Sequence, residues 1–557
     1  MKPNMHIEDN VVQTDVLIVG GGPSGLATAI HLANLMQEKQ VKKRILLIEK
    51  GAGVGSHILS GAIIKHQVFR QLLNEKEYND IPFDSKVSRD AIVWLGKNWK
   101  FKLPFHPPYM GNKGNQVASL SHICRYLAKI AEEKGVEIYP GFAVNELIFE
   151  NNELVRVKTN DTGVDEHGNP LANYQKGSSI KADLIIFAEG SKGTMCEQLI
   201  KSFQLDKNRN EQMYSLGCKE LWQLSEKRLQ AGEVYHTMGF PLSMREFGGG
   251  FIYGLKENKV ALGLVVGLDY QDPTFDIHHA FQIWKTHPFI KKMLAGAKLL
   301  EYGAKTLPEG GYYAIPKLYV PHGLIVGDSA GFLAMPALKG VHLAVYSGML
   351  AAKTALYALL KQDFSENSLS MYEKEIKNSK IYKELYTTRN IRQAFSDGLW
   401  LGGIQFVAQL ISGGAGLRGR LRPLSDKERT RKLKDFKGKS FQSRFHNYFE
   451  FDKELTFDKV TDVYYSHTHY DEQQEPHLKI PNPEHFRAYN IETYGAPCQY
   501  FCPAECYELR ADKNGGQDLR LHPENCLQCK TCTIKSPDNG ILWCLPNGDN
   551  GPDYRYM

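Results

Sequence analysis

The chain has 557 residues, 42% of them hydrophobic and 23% charged, which is too long for one ordinary core and too apolar for disorder. A formal net charge of +6 is too modest for a nucleic-acid-binding protein, so no nucleic-acid partner is expected. Residues 1–10 show neither an apolar signal core nor an Arg-rich import pattern, so the expected place is where the chain is made, most simply a bacterial cytoplasm.

The first clear element is the β-branched run Val16-Leu17-Ile18-Val19, which enters Gly20-Gly21-Gly22-Pro23-Ser24-Gly25 and leaves through a helix-forming stretch from Leu26 to Ala33. Gly20, Gly22 and Gly25 fill the G-x-G-x-x-G pattern: a sharp turn, backbone approach to a pyrophosphate, and close helix–strand packing. A second strand ends at Glu49, where a carboxylate is placed to accept hydrogen bonds from adenosine ribose hydroxyls. Residues 144–159 read as a hairpin turning at 150–153. Parallel-type strands follow at 182–187, ending in Ala188-Glu189-Gly190, and at 323–326, ending in Gly327-Asp328. The first ending resembles the turn that closes over the adenine end of FAD, and the second the fingerprint whose Asp bonds the ribityl chain. The helix after Lys339-Gly340 is expected to aim its N-terminus at the flavin ring. Residues 251–268 alternate apolar residues with glycine, which predicts an antiparallel sheet inserted into a discontinuous dinucleotide domain.

Residues 398–417 carry no charged side chain, and ten Lys and Arg residues from Arg418 to Lys439 follow them. An apolar element flanked by cations suits an anionic lipid interface, with Trp400, Phe406 and Leu410 expected to face lipid, and a buried helix followed by a solvated basic loop is the alternative. The stretch from Phe101 to Met110 is a second apolar patch of the same kind. No run reaches the length of a spanning helix.

Seven of the ten cysteines crowd the C-terminal region. Cys526, Cys529 and Cys532 form the C-x2-C-x2-C run of ferredoxins, but Ser536-Pro537 stands where a two-cluster ferredoxin has its next Cys-Pro. A fourth thiolate must come from Cys498, Cys502, Cys506 or Cys544, and Cys502-Pro503 supplies the Cys-Pro dipeptide. A second cluster on those four residues beside a three-iron one, or zinc, are the alternatives. His467, His469 and His477 are read as ordinary polar histidines.

Taken together, the strings Gly55-Ser56-His57-Ile58-Leu59-Ser60-Gly61-Ala62, Lys219-Glu220-Leu221-Trp222, Lys383-Glu384-Leu385-Tyr386 and Phe501-Cys502-Pro503-Ala504 resemble the electron-transfer flavoprotein–ubiquinone oxidoreductase family over nearly the whole chain. The resemblance implies an α/β, glutathione-reductase-like FAD domain (residues 1–75, 116–200 and 300–365) with an inserted β-rich quinone-binding domain (76–115 and 201–299). It also implies a helical segment over 366–440, with its interfacial stretch at 398–417, and a ferredoxin-like iron–sulfur domain over 441–557 with its core about 517–546. Cys502, Cys526, Cys529 and Cys532 are implied to hold one 4Fe–4S cluster, and Gly248-Gly249 to contact ubiquinone through the backbone. Glu505-Cys506 departs from the family pattern of Gly and an apolar residue. The implied activity is that of an electron-transferring-flavoprotein dehydrogenase: electrons pass from the soluble electron-transfer flavoprotein to ubiquinone at a monotopic membrane attachment. That attachment is to the cytoplasmic face of a bacterial inner membrane, or to the matrix side of the mitochondrial inner membrane in a eukaryote. The rival readings are a geranylgeranyl-reductase-like FAD enzyme and a membrane-attached electron-carrier subunit.

Overall fold

Val16 to Val19 are buried on both faces rather than alternating, as a parallel strand covered on both sides requires. In the computed structural model, which describes residues 11–557 except 62, 107–108, 152, 418 and 512–514, this run lies in the strand Val11–Val19. The expectation resting on residues 1–10, and Arg418 of the basic run, lie outside the described residues. Ile45–Glu49 and Ser179–Phe187 flank Val11–Val19 in parallel, with Gly323–Ile325 and Glu137–Pro140 outside them. The hairpin Val144–Glu150 and Glu153–Thr159 adds to the start of Ser179–Phe187 in antiparallel register.

The helices Pro23–Glu38 and Val341–Lys361 cover this sheet and touch closely, since a Cβ on Gly348 would stand 2.3 Å from the Ser24 carbonyl oxygen. Val341–Lys361 is long and apolar enough to cross a membrane, but it is mostly buried and forms the core of this layer.

A second, seven-stranded sheet runs Lys298–Pro308, Tyr214–Gln223, Lys259–Gly267, Gly248–Gly254, Glu233–Gly239, Arg89–Leu95 and Lys100–Lys102. Its pairings are antiparallel except for Glu233–Gly239 beside Arg89–Leu95. Lys298–Pro308 pairs with Tyr214–Gln223 along its whole length, which carries this sheet past residue 299 to Pro308.

The C-terminal region docks on this second sheet through a buried polar network. Lys285 Nζ donates to both oxygens of Glu220 at 2.7 and 2.9 Å, and Trp222 Nε1 donates to the same carboxylate. His278 and Gln282, on the same helix as Lys285, meet Asp462 of the C-terminal region at 2.7 and 2.8 Å. Charges so deeply buried are tolerated because each is paired and hydrogen-bonded.

The helix Leu399–Ile411 stands out from this body. Trp400, Ile404, Val407 and Ile411 form a stripe at helical spacing and are 77, 61, 54 and 84% exposed, while Gly402 and Gln409 are buried on the opposite side. Phe406 departs from the expectation that it faces lipid: it points inward and its ring lies 6.4 Å from that of Phe395. Gly402 permits that close approach, since a Cβ there would meet the Phe395 ring at 2.3 Å. Leu410 is half-buried.

Candidate redox and quinone sites

Each dinucleotide glycine has a separate physical reason. Gly20 has φ +110°, and a Cβ on it would lie 2.4 Å from the Ala188 carbonyl oxygen. One on Gly25 would lie 2.1 Å from the Gly20 carbonyl oxygen, so only glycine allows helix and strand to meet. Gly22, at the N-terminus of Pro23–Glu38, has no protein atom within 4 Å of its Cβ position, and neither has Gly190 (φ +76°). Open space bounded by a helix N-terminus and these two glycines is a cradle that fits a pyrophosphate. Glu49 lies beside it, its two carboxylate oxygens accepting from the Gly21 and Gly51 amides at 2.8 and 2.9 Å.

The second fingerprint reaches the same place from the other side. Gly327 has φ +62°, and its Cβ position is 2.5 Å from Ser24 Oγ, which ties it to the start of the Pro23–Glu38 helix. Gly340 caps Val341–Lys361, and its Cβ position is 3.6 Å from Asp328 Oδ1. Asp328 therefore sits at a helix N-terminus. Burial pushes its carboxyl up to about 6, with the Lys305 ammonium pulling the other way. Lys339, buried beside that N-terminus, donates to Asn112 Oδ1 at 2.6 Å and to the Ala337 carbonyl at 2.9 Å, and burial lowers it to about 8. The residues present fit FAD.

Cys502, Cys526, Cys529 and Cys532 converge on one small cavity together with Cys506. Cys498 and Cys544 are not among its lining residues, so the pooling of four cysteines for a second cluster finds no common cavity. Among the described residues no three His, Cys, Asp or Glu side chains close on a single point as single-ion ligands do. Thiols spread around a cavity are the donor set of a cluster. The buried hydroxyl of Tyr507 and the Nε2 of His477 have no oxygen or nitrogen partner, and they lie beside Cys532 and Cys526. Such orphaned buried groups fit a site whose acceptors are sulfur.

The cysteine loop is held from two directions. Thr306 on the second sheet donates to the Cys529 carbonyl at 2.8 Å, and Tyr302 donates to the Pro503 carbonyl at 3.0 Å. Lys530 crosses to the FAD layer, donating to the Lys192 carbonyl at 2.7 Å and to Thr194 at 2.9 Å. Tyr470 closes the loop by donating to the Cys526 carbonyl at 2.7 Å.

Gly248 and Gly249 begin their strand half-exposed, whereas Gly250 is buried against Trp284. Cβ atoms on Gly248 and Gly249 would strike the Val265 and Thr237 carbonyl oxygens at 2.3 and 2.5 Å, so neighbouring strands themselves demand glycine here. Next to them an apolar cluster runs without a break from Leu333, Met335 and Ile391 through Phe247 and Phe395 to Phe406 of the exposed helix. It links the flavin-side loop, the Gly248 strand and the protruding helix. Trp99, Phe101, Phe105 and Tyr109 are also exposed, and Gly96–Trp99 turns beside Phe240 at the same end of the sheet.

No motif spacing joins Thr306, Tyr470 or His477 to the cysteine run, and Lys530, although inside the run, carries no local sign that it crosses to the FAD layer. Cys506 was visible in the cysteine crowd, but not its place in the cavity.

A two-sheet FAD-type body with a cysteine-lined cavity in its C-terminal region defines a flavin- and cluster-containing oxidoreductase. Models of the ubiquinone-binding domain of ETF-QO, of the electron transfer flavoprotein-ubiquinone oxidoreductase 4Fe-4S domain and of an NAD(P)-binding Rossmann-like domain match residues 214–307, 453–555 and 18–71. Mitochondrial electron transfer flavoprotein-ubiquinone oxidoreductases are similar throughout. That of Arabidopsis thaliana is 39% identical (98% of this chain, 85% of the relative) and that of Homo sapiens 37% (99% and 90%). The chain belongs to the electron-transfer flavoprotein–ubiquinone oxidoreductase family. Among solved structures, a geranylgeranyl bacteriochlorophyll reductase-like protein of Thermoplasma acidophilum superimposes with a TM-score of 0.54 at 18% identity, covering 70% of this chain and 88% of that one. The flavin-dependent brominase Bmp2 gives 0.50 at 16%, covering 72% and 89%. These two likenesses show the shared fold.

Proposed function

We propose that the chain takes electrons from reduced electron-transfer flavoprotein and delivers them to ubiquinone, as an electron-transferring-flavoprotein dehydrogenase. The observation that carries this reading is the apolar cluster joining the exposed helix to Phe247, beside Gly248-Gly249, and to the Leu333–Met335 loop at the flavin side. A prenylated quinone needs such a route, because its tail stays in lipid while its headgroup must reach the redox centre.

In this reading Gly20, Gly22, Gly25 and Gly190 hold the FAD pyrophosphate, and Glu49 takes the adenosine ribose. Gly327 and Asp328 take the ribityl chain, and Gly340 presents its helix N-terminus to the ring. Cys502, Cys526, Cys529 and Cys532 are the cluster ligands, and Gly248 and Gly249 offer backbone to the quinone headgroup. Bound there, flavin and cluster supply the coupling of one-electron and two-electron chemistry that a soluble carrier and a quinone require. The chain's own part is to hold the two sites adjacent, through Thr306 and Lys530, and to keep water from the cysteine cavity. Attachment is monotopic through the stripe Trp400, Ile404, Val407 and Ile411, on the membrane face that the soluble donor reaches, which in a bacterium is the cytoplasmic one.

The test uses the full-length protein with electron-transfer flavoprotein and a short-chain ubiquinone. Donor-dependent quinone reduction is expected, with one FAD and about four irons per chain. Cys529→Ala should lose the iron, keep a flavin that dithionite reduces and quinone reoxidises, and lose donor-driven turnover. Full turnover by that variant would place the cysteine site off the route, and seven or eight irons in the wild type would overturn the single-cluster assignment.

A further inference from the structure

A cavity of about 410 Å³, large enough for a small-molecule group, lies at the foot of the protruding helix. Gly398, the N-cap of Leu399–Ile411, lines it. The helix start is tied to a second lining segment, because the Leu399 amide donates to the carbonyl of Met244, between Ser243 and Arg245 of the wall, at 3.1 Å. Arg429, also in the wall, donates to the Ser396 carbonyl just before the helix.

Four cations, Arg245, Arg429, Lys439 and Arg444, share this wall with three carboxylates, Glu246, Asp269 and Asp272. The carboxylates are already engaged. Asp269 accepts from both terminal nitrogens of Arg392 at 3.1 and 2.8 Å. Asp272 accepts from the Thr274 amide and hydroxyl at 2.9 and 2.8 Å and from the Phe441 amide. Glu246 accepts from the Ser243 amide at 2.6 Å and from Arg444 at 3.1 Å. The cations are not matched in return. Among the described residues the Arg245 guanidinium meets the Lys437 carbonyl at 3.3 Å and no carboxylate, and Lys439 has no polar partner. Arg444 Nε and Ser396 Oγ are buried without a hydrogen-bond partner. Buried donors left unpaired are costly, so a wall that combines them with spare cations suits an oxyanion able to accept several hydrogen bonds at once.

Position selects the kind of anion. Gly398 precedes Trp400, the first residue of the exposed stripe, by two residues, or ~3 Å along a helix. The headgroup layer on each side of a bilayer is roughly 5–7 Å thick. With the stripe at the edge of the hydrocarbon, the cavity lies at the level of the lipid phosphates. A zwitterionic lipid would bring an ammonium group against a wall rich in Arg and Lys, whereas a phosphate diester with an uncharged head would not.

We propose that this cavity binds the phosphate of an anionic phospholipid, held chiefly by Arg245, Lys439 and Arg444. The proposal rests on the membrane attachment read above and adds selectivity to it: the apolar stripe holds the protein to any bilayer, and the cavity makes one anionic lipid a specific ligand.

The test measures binding of the full-length holoprotein to phosphatidylcholine vesicles with and without phosphatidylglycerol, at fixed ionic strength, by flotation. Wild type is compared with the double variant Arg245→Gln, Lys439→Gln and with Lys432→Gln, Lys434→Gln, which removes the same charge from the same segment outside the cavity. Arg245 and Lys439 are exposed, so all three proteins should keep wild-type melting temperature, iron and FAD. Phosphatidylglycerol should tighten wild-type binding at least ~10-fold, and the cavity variant should lose that gain while the control variant keeps most of it. An equal loss in both variants would mean diffuse surface charge and overturn the proposal, as would the lack of any gain in wild type. Abolition of the gain by millimolar inorganic phosphate at matched ionic strength would make a soluble anion the ligand, with the same consequence. Failure of wild type to bind either kind of vesicle would instead defeat the attachment reading on which the proposal stands.

Discussion

The Thr306 hydroxyl donates to the Cys529 carbonyl oxygen at 2.8 Å, and Ser191 meets the same hydroxyl at 3.2 Å. Thr306 belongs to the second sheet, Ser191 follows the Gly190 turn of the FAD layer, and Cys529 lies in the cysteine run, so three parts of the chain meet at one buried oxygen. Thr306→Val keeps the shape and removes the bridge, leaving two buried polar groups unsatisfied at a cost of ~1–3 kcal/mol. The expected outcome is a melting temperature lower by a few degrees, unchanged iron and FAD content, and donor-to-quinone turnover reduced several-fold. Thermal melts with metal analysis and steady-state rates check it.

Two neighbouring glycines should behave in opposite ways. Gly25→Ala forces a Cβ to within 2.1 Å of the Gly20 carbonyl oxygen, an overlap with backbone that cannot move aside. Overpacking of this kind costs ~1–3 kcal/mol or more, so the flavin-free chain should itself be destabilised. Gly22→Ala meets no protein atom within 4 Å and has φ −80°, which alanine adopts freely. Its apo melting temperature should match wild type while retained FAD falls at least ~10-fold, the loss of one well-placed phosphate contact at ~1.4 kcal/mol per decade. Equal apo stability for the two variants would refute the separate reasons given for these glycines.

The parts legible in the sequence are those written in short-range patterns. Gly20, Gly22 and Gly25 have local reasons that a turn, a cradle and a close contact impose, and the Cys526, Cys529 and Cys532 run carries its geometry in its spacing. What the sequence concealed is convergence across long separations. Thr306 and Cys529 are more than two hundred residues apart, and nothing in either neighbourhood marks the other. Nothing in the sequence pairs Glu220 with Lys285, which the fold buries together. The Leu399–Ile411 segment is apolar all round, so hydrophobicity alone does not say that Phe406 meets protein while Trp400 is exposed. Lys298–Pro308 joins the second sheet through ten-residue pairing with Tyr214–Gln223, a register no local motif announces.

Asp328 gives a pH dependence with a definite sign. In the flavin-free chain its carboxyl is raised from 3.8 to about 6, chiefly by burial. A raised folded value favours the neutral form, so this contribution to stability is full below the unfolded value and is lost as pH rises through about 6. Ribityl hydroxyls donating to Asp328, as proposed above, would favour the ionised form, and FAD binding is then expected to release a proton and to tighten as pH rises from about 5 to 7. Asp328→Asn should flatten that slope and weaken binding at neutral pH. Reconstitution of the apo chain with FAD across this range, followed by flavin fluorescence, measures both, and an unchanged slope in the variant would assign the titration to another group.

The protruding helix separates attachment from quinone access, because its two faces do different work. Trp400, Ile404, Val407 and Ile411 point away from the protein, and burying each in lipid contributes ~1–2 kcal/mol, an apolar term that salt does not screen. Gly402 and Phe406 point inward, where the Phe406 ring lies tilted against that of Phe395 and joins the cluster that includes Phe247 and Leu333. Charging the outer stripe, as in the triple variant Trp400→Glu, Ile404→Glu and Val407→Glu, should move the protein from membranes to the soluble fraction while turnover with a short, water-soluble quinone persists. Phe406→Ala should do the reverse: attachment is kept, since the outer stripe is intact, and the KM for a long-chain quinone rises several-fold as the inner contact is lost. High salt should release neither wild type nor Phe406→Ala. Vesicle flotation beside quinone kinetics distinguishes the two faces, and complete release of wild type by salt would mean that the basic residues beyond the helix, not its apolar stripe, hold the protein to the membrane.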